Sequence, residues 1–354
     1  MQTITENQSL PSIALTSPDA FIPFVKAVGR GNKLRRDLTY DEAIEAMRLI
    51  LRGEATPAQI GGFLIGQRVK GEAEVEIKGF IQVTRDEFIH KISPRVEGLL
   101  DFGVPYDGKV KTAQLAPAIA IILAATGVPT ILHGAEGVPT KQGVAPGAVF
   151  AALGLPADLE PQAVEQMIEK VGVGYLDAAQ FAPEWNALTP LRREFGLRTA
   201  LNSVEKLFNP ANAPYQISGF FHGEYLERLR LAQTGTRASW IVQGEEGSIE
   251  MATGRATHIF AADEADDIVL DPASAGLPVR ERIAVPPDVQ THAQLNAEAI
   301  AGKPSPATDQ ATLTAGTILF LLKVATDLND GITIVRRALE TGAAQRKLEQ
   351  AKNF

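Results

Sequence analysis

The chain has 354 residues, 45% of them apolar and 21% charged, which suits a globular protein with one large or two medium cores. It has no cysteine, so disulfides and thiolate metal sites are excluded. With 42 acids against 34 bases the formal charge is −8, which argues against a surface coated in basic charge for nucleic acid and leaves room only for a local patch.

Residues up to about Pro18 read as a loose arm. This arm is polar, with Glu6 and Asn7 and no basic-then-apolar start, so no secretory signal is expected and a cytoplasmic location is. Arg30 to Arg36 is a basic stretch; Lys33, Arg35 and Arg36 could contact nucleic-acid phosphates, or form a solvated linker. Thr39-Tyr40-Asp41-Glu42 is a capping box, with Ile44, Met47, Leu49 and Ile50 behind it. Thr56-Pro57 predicts the next helix, with proline at its first position and Ile60, Phe63, Leu64 and Ile65 on its face. A third helix is predicted over Glu72–Ile92. Short links between them predict a small helical unit. Its expected bounds are residues 18–95, with part of 186–230 expected to join it.

From Leu99 the pattern alternates. The runs Leu99–Phe102, Thr130–Leu132, Trp240–Val242 and His258–Phe260 predict strands. Ala116–Thr126, Pro161–Val171 and Asn186–Asn202 predict helices, followed by Thr314–Leu328 and an amphipathic Gly331–Gln350. The fold class is therefore α/β with a mainly parallel sheet, over residues 96–185 and 231–354. The apolar runs Ala116–Ala125 and Ile318–Leu322 are too short to span a bilayer, so no membrane partner is expected.

Two loops have the frame of a phosphate site. The first is Gly103-Val104-Pro105-Tyr106-Asp107-Gly108, where bulky residues separate the glycines. The second follows a strand through Leu132-His133-Gly134-Ala135-Glu136-Gly137 and ends at Lys141-Gln142-Gly143 before a helix. Glycines let amides approach a phosphate, a helix start favours an anion, and Lys141 adds a point charge. A tight strand-to-helix connection with a solvated lysine fits the same residues. Leu191 to Arg198 carries Arg192, Arg193 and Arg198, either for bidentate recognition of phosphate or carboxylate or as a solvated helix face. Gly244-Glu245-Glu246-Gly247-Ser248-Ile249-Glu250 is an acidic loop that could hold Mg2+ or lie exposed. His133 could donate to a phosphate, work in acid–base steps, or be structural.

In this order the segments resemble the anthranilate phosphoribosyltransferase family, a glycosyltransferase family. The likeness rests on Leu38-Thr39-Tyr40-Asp41-Glu42-Ala43, Ala55 through Gly61, Gly127-Val128-Pro129 through His133-Gly134, Lys141-Gln142-Gly143, Phe181-Ala182-Pro183, the arginine segment and Asn209-Pro210. It runs from about Phe24 to Leu348. It implies a nucleoside phosphorylase/phosphoribosyltransferase-like fold, with a small N-terminal helical domain, a large α/β domain and a homodimer formed through the helical domain.

The family's first loop, Gly-Thr-Gly-Gly-Asp, binds phosphoribosyl diphosphate. Gly103, Asp107 and Gly108 fit it, whereas Val104, Pro105 and Tyr106 depart from it. The family's Asn-x-Ser-Thr helix start falls on Gln114, Ala116 and Pro117, and its Lys-His-Gly-Asn on Leu132-His133-Gly134-Ala135. Its magnesium-holding Asp-Glu falls on Ile249-Glu250, and Arg192 matches the arginine that contacts anthranilate. Each lost charged contact weakens binding by about 1.5–3 kcal/mol. A handful of such losses carries a micromolar ligand beyond useful affinity.

The resemblance thus implies a degenerate diphosphate site in a diverged branch of the family. The expected contacts to a phosphorylated ligand between the domains are Gly103, Asp107, Gly108, His133, Gly134, Lys141, Gly143, Arg192, Arg193 and Lys206, with Glu250 as the residual Mg2+ ligand. The alternatives are a non-catalytic nucleic-acid-binding homodimer, using Lys33, Arg35 and Arg36, and a true anthranilate phosphoribosyltransferase of tryptophan biosynthesis.

Overall fold

Thr39 opens a helix as its capping box predicts, and Thr56-Pro57 opens the next, where the structure adds a capping box with Gln59. The Thr39 hydroxyl accepts from Glu42 N at 3.2 Å while Thr39 N donates to the Glu42 carboxylate at 2.9 Å. This is a computed structural model, and it describes residues 18–220, 226, 229–230, 235–262, 267–280 and 284–354. The loose arm expected before Pro18 lies outside them, as does part of 186–230.

Helices α1 (Ile22–Gly29), α2 (Tyr40–Leu51), α3 (Pro57–Lys70) and α4 (Glu74–Glu87) form the helical unit. α1 packs on α3 and α2 on α4. The predicted third helix is shorter than Glu72–Ile92 because backbone donors beyond Phe88 leave the ladder. His90 N bonds Phe181 O at 2.7 Å and Ile92 N bonds Pro210 O at 3.1 Å. Glu76, fully buried, ties the unit together by accepting from Leu38 N, Gln67, Lys70 and Ala73 N at 2.6–3.0 Å.

A seven-stranded sheet follows, in the order β3-β2-β1-β4-β5-β6-β7. The strands are β1 (Leu100–Gly103), β2 (Thr130–Gly134), β3 (Val173–Asp177), β4 (Tyr215–Gly219), β5 (Ala238–Val242), β6 (Thr257–Ala261) and β7 (Ile268–Leu270). β1 to β5 pair in parallel, and β6 and β7 add antiparallel. Ile131 and Leu132 fall in opposite cores, as do Ile241 and Val242, which is the period-two alternation of a sheet covered on both faces.

On one face lie α5 (Ala116–Ala125), α6 (Pro146–Ala152), α12 (Val289–Ile300), α13 (Pro306–Leu321), α14 (Leu328–Glu340) and α15 (Ala343–Lys352). On the other lie the helical unit and the short helices α8 (Ala178–Phe181), α9 (Pro183–Asn186), α10 (Thr189–Phe195) and α11 (Leu201–Val204). α7 (Pro161–Val171) packs on β3. The predicted Asn186–Asn202 helix is broken, with Gly196 at φ 61° closing α10. The predicted Gly331–Gln350 helix is two, divided at Gly342 with φ 69°. Among the described residues no helix is long and apolar enough to cross a membrane.

Candidate functional site

The strand order reverses between β1 and β4, which flank each other while their next strands run outward on opposite sides. Open α/β sheets bind ligands outside the carboxyl ends of strands at such a point. Lys206 lies here. Its ammonium donates to Gly219 O at 2.8 Å and Gly247 O at 3.3 Å, and stands 4.9 Å from the centre of the Phe220 ring. Beside it opens a cleft of about 110 Å³, walled by Arg68, Pro105, Asp107, Arg198, Lys206 and Glu246 among others.

The cleft is a knot of charges. Asp107 is buried and accepts from Arg198 at 3.0 and 2.6 Å. Lys141 sits 3.7 Å from Asp107 and 3.5 Å from Glu246. Burial, followed by the charges of Arg198 and Lys141, drags the Lys206 ammonium down to about 7 against the pull of Asp107. Burial likewise lowers Lys141. Glu246 accepts from the amides of Val110, Lys111 and Thr112 at 3.3, 2.7 and 2.7 Å, and from the Thr112 hydroxyl at 2.9 Å. Its burial opposes ionisation, yet these donors and Lys141 hold its carboxyl down at about 2.

The expected phosphate cradles are otherwise filled. Val104 and Tyr106 point into the core, fully buried, and Pro105 has no amide to offer. A Cβ on Gly103 would lie 2.3 Å from Lys206 O. Gly108, at φ 69°, and Gly143 press the two loops together: a Cβ on either would meet the other loop's backbone at 2.5–2.6 Å. Gly143 N bonds Asp107 O at 2.9 Å, and Lys109 and Val144 exchange backbone bonds of 3.1 and 2.8 Å. These glycines serve loop-on-loop packing, and Gly134 similarly faces the Tyr175 hydroxyl, 3.2 Å from where its Cβ would be.

Other expected contacts already have partners. His133 is fully buried and does not line the cleft. Its Nδ1 bonds the Tyr106 hydroxyl at 2.6 Å, its ring meets Tyr106 and Phe181 edge-on, and Nε2 lies 3.3 Å from Asp101 without an aligned hydrogen bond. Arg192 is buried and clasps Glu205 at 2.6 and 3.0 Å. Arg193 is exposed and donates to Gly137 O at 3.4 Å. In the basic stretch Lys33 is exposed, Arg35 half-buried, and Arg36 gripped by Glu42 through two bonds of 2.6 Å.

Comparison with known proteins shows the family. A profile of the glycosyl transferase family helical bundle domain matches residues 22–87, and one of the glycosyl transferase family a/b domain matches residues 107–345. The anthranilate phosphoribosyltransferase of Thermomicrobium roseum is 33% identical over 329 residues, 89% of this chain and 92% of that one. That of Thioalkalivibrio sulfidiphilus is 34% identical, over 90% of this chain and 95% of its own. The chain belongs to the anthranilate phosphoribosyltransferase family.

Among solved structures, the family member from Thermus thermophilus superposes with a TM-score of 0.80 at 26% identity, covering 95% of this chain and 98% of its own. The Saccharomyces cerevisiae enzyme in complex with PRPP and Mg matches at TM-score 0.82 and 17% identity over the same shares, a likeness of fold alone.

The family's Asn-x-Ser-Thr motif is expected at the start of α5, on Gln114, Ala116 and Pro117. Here protein side chains hold that helix start: Gln114 N donates to His292 Nδ1 at 2.9 Å, Leu115 N to Glu250 at 2.8 Å and Ala118 N to Asn296 at 2.9 Å, while Pro117 has no amide. The other Glu250 oxygen lies 2.8 Å from the ammonium of Lys109, and both side chains are fully buried. The carboxylate expected to hold Mg2+ is therefore neutralised, and among the described residues no group of three or more His, Asp or Glu could hold a metal. With Glu250 engaged by Lys109 and Ile249 beside it, the expected pair does not fit the ion.

Arg68, Lys109 and Glu205 escaped the sequence reading. Each is decided by a partner 13 to 141 positions away, which no local pattern carries. Arg198 and Glu246 lay in segments already read as candidate anion and metal sites, but their partners, Asp107 and the amides of Val110, Lys111 and Thr112, were not foreseen.

Proposed function

We propose that this chain binds a phosphorylated sugar or nucleotide in the cleft between the helical unit and the carboxyl ends of β1 and β4, with the family's diphosphate site degenerate. The observation that carries this reading is the convergence of Arg68, Arg198 and Lys206 on one cleft at the strand-order reversal. Arg198 is 40% exposed and held in place by Asp107, so its guanidinium is presented rather than hidden. Three cations against Asp107 and Glu246 favour an anion, and arginine favours phosphate. The closed first loop supports the degenerate half: Pro105, Val104 and Tyr106 offer a diphosphate neither open amides nor room. The yeast enzyme's complex contains PRPP and Mg. Here Lys109 neutralises Glu250 at 2.8 Å, and the reading uses no metal.

Calorimetry with phosphoribosyl diphosphate, ribose 5-phosphate and mononucleotides, with and without Mg2+, tests this. Binding that Arg198→Ala weakens at least tenfold supports it, and silence towards every ligand removes it.

A second reading is transfer to anthranilate itself, favoured by the 33–34% identity to enzymes of that name. It requires Arg192 to release Glu205. Growth of a tryptophan auxotroph on this chain would establish it, and failure with soluble protein present would end it. We do not extend the reading to nucleic acid, since Arg36 is committed to Glu42.

We also infer a homodimer through the helical unit, supported by Leu34 and Val69, each 68% exposed, with Val75 and Tyr40 at 42% and 40%. Light scattering would show a dimer that Val69→Asp splits; a monomeric parent protein would refute it.

A further inference from the structure

We propose that the amides of Val110, Lys111 and Thr112, the Thr112 hydroxyl and the Lys141 ammonium form an oxyanion seat that Glu246 fills from within, and that a phosphoryl group takes when Glu246 leaves. Four hydrogen bonds of 2.7–3.3 Å converge on this one carboxylate from three successive residues. Successive amides turned to one point make an anion-binding concavity. The Glu246 carboxylate comes from a loop 134–136 residues away and is itself an anion seated there.

Two further observations mark Glu246 as the replaceable partner. Its backbone is left-handed, with φ 53° and ψ 23°, a region that non-glycine residues enter reluctantly. Glu246 also borders the cleft, and Lys111 is exposed, so a ligand reaches the seat from solvent. Lys141, 3.5 Å away, gives the seat a cation that a phosphate dianion uses better than a carboxylate does. The amides, the Thr112 hydroxyl and Lys141 all favour the charged form of Glu246, so the seat as it stands holds an anion. An incoming group must displace it, which sets a threshold of charge that simple carboxylates do not meet.

The seat stands on its own geometry, and only the identity of the molecule that brings the phosphoryl group rests on the reading above. Inorganic phosphate is the probe, titrated calorimetrically in low-salt buffer against the full chain and Glu246→Gly. Glycine suits the left-handed backbone, and Glu246→Asn, also tolerant of it, serves if glycine loosens the loop. We expect either variant to bind phosphate at least tenfold more tightly than the parent, and Lys141→Ala in the same background to remove at least fivefold of that gain. Equal affinity in variant and parent, or a gain indifferent to Lys141, overturns the seat. A parent silent to phosphorylated sugars beside a phosphate-binding Glu246→Gly removes the functional reading and leaves the seat standing.

Discussion

Arg192 and Glu205 hold one another through paired hydrogen bonds of 2.6 and 3.0 Å, both side chains at least 96% buried, with the Trp185 indole adding a third bond to Glu205 at 3.2 Å. A buried pair broken on one side leaves a bare charge behind. Arg192→Ala is therefore expected to lower the unfolding free energy by about 3–5 kcal/mol. Arg192→Met combined with Glu205→Gln is expected to recover most of it. Urea unfolding of both variants decides, and a double variant as weak as the single one would contradict the pairing argument.

The Tyr106 hydroxyl and His133 form a second buried link, at 2.6 Å. Tyr106→Phe keeps the ring in its edge-on packing but leaves Nδ1 without its partner, at an expected loss of about 1–3 kcal/mol. A thermal midpoint unchanged by this substitution would show that His133 finds another partner.

The loop-on-loop contact predicts a sharp contrast between glycines. Gly143→Ala places a methyl 2.5 Å from Lys109 O, where only backbone movement can relieve it. We expect a loss of at least about 1–3 kcal/mol, as for overpacked cores. Gly29→Ala meets nothing within 4 Å and is expected to stay within about 0.5 kcal/mol of the parent. Similar midpoints for the two in chemical denaturation would rule out the clamp.

Under the proposed function, Lys206 is expected to make both stability and anion binding depend on pH, in opposite directions. Its folded value of about 7 lies below the roughly 10.4 of an unfolded lysine. Between these values the unfolded chain holds the extra proton, so this group's contribution to stability is lowest below pH 7 and rises towards pH 10. Affinity for an anion falls over the same rise, as the ammonium is lost. A sulfate ester, whose charge is fixed here, is expected to bind more weakly at pH 8.5 than at pH 6, and Lys206→Arg to flatten that profile. A parent profile already flat would show that Lys206 keeps its proton.

Local signals were legible and distant partners were not. The capping box at Thr39 and the Thr56-Pro57 start act within four residues, and both helices begin there. β4 was hidden because this central strand reads Tyr-Gln-Ile-Ser-Gly. Its Gln216 looks like loop chemistry until it is paired with Asp101, directly opposite on β1, at 2.7 Å. At the site, Lys206 and Asp107 were reached through the family resemblance, Asp107 by its place in the first loop. That Asp107 would orient Arg198, 91 positions later, could not be reached that way. The fate of Arg192 shows the same limit: a matching position gives a residue its place, while Glu205 decides whether its charge is available.

The cleft wall is assembled from the far reaches of the chain. Arg68 comes from α3 and donates to the carbonyl of Arg198, which in turn grips Asp107 beside the Glu246 loop. The segment 22–87 carries only the first of these, and the segment 107–345 the remainder. Two such halves produced separately would each lack part of the proposed site, and any sensitivity to its ligand would return only on recombining them. The cleft could thus serve as a split reporter whose signal measures how completely the two halves have docked.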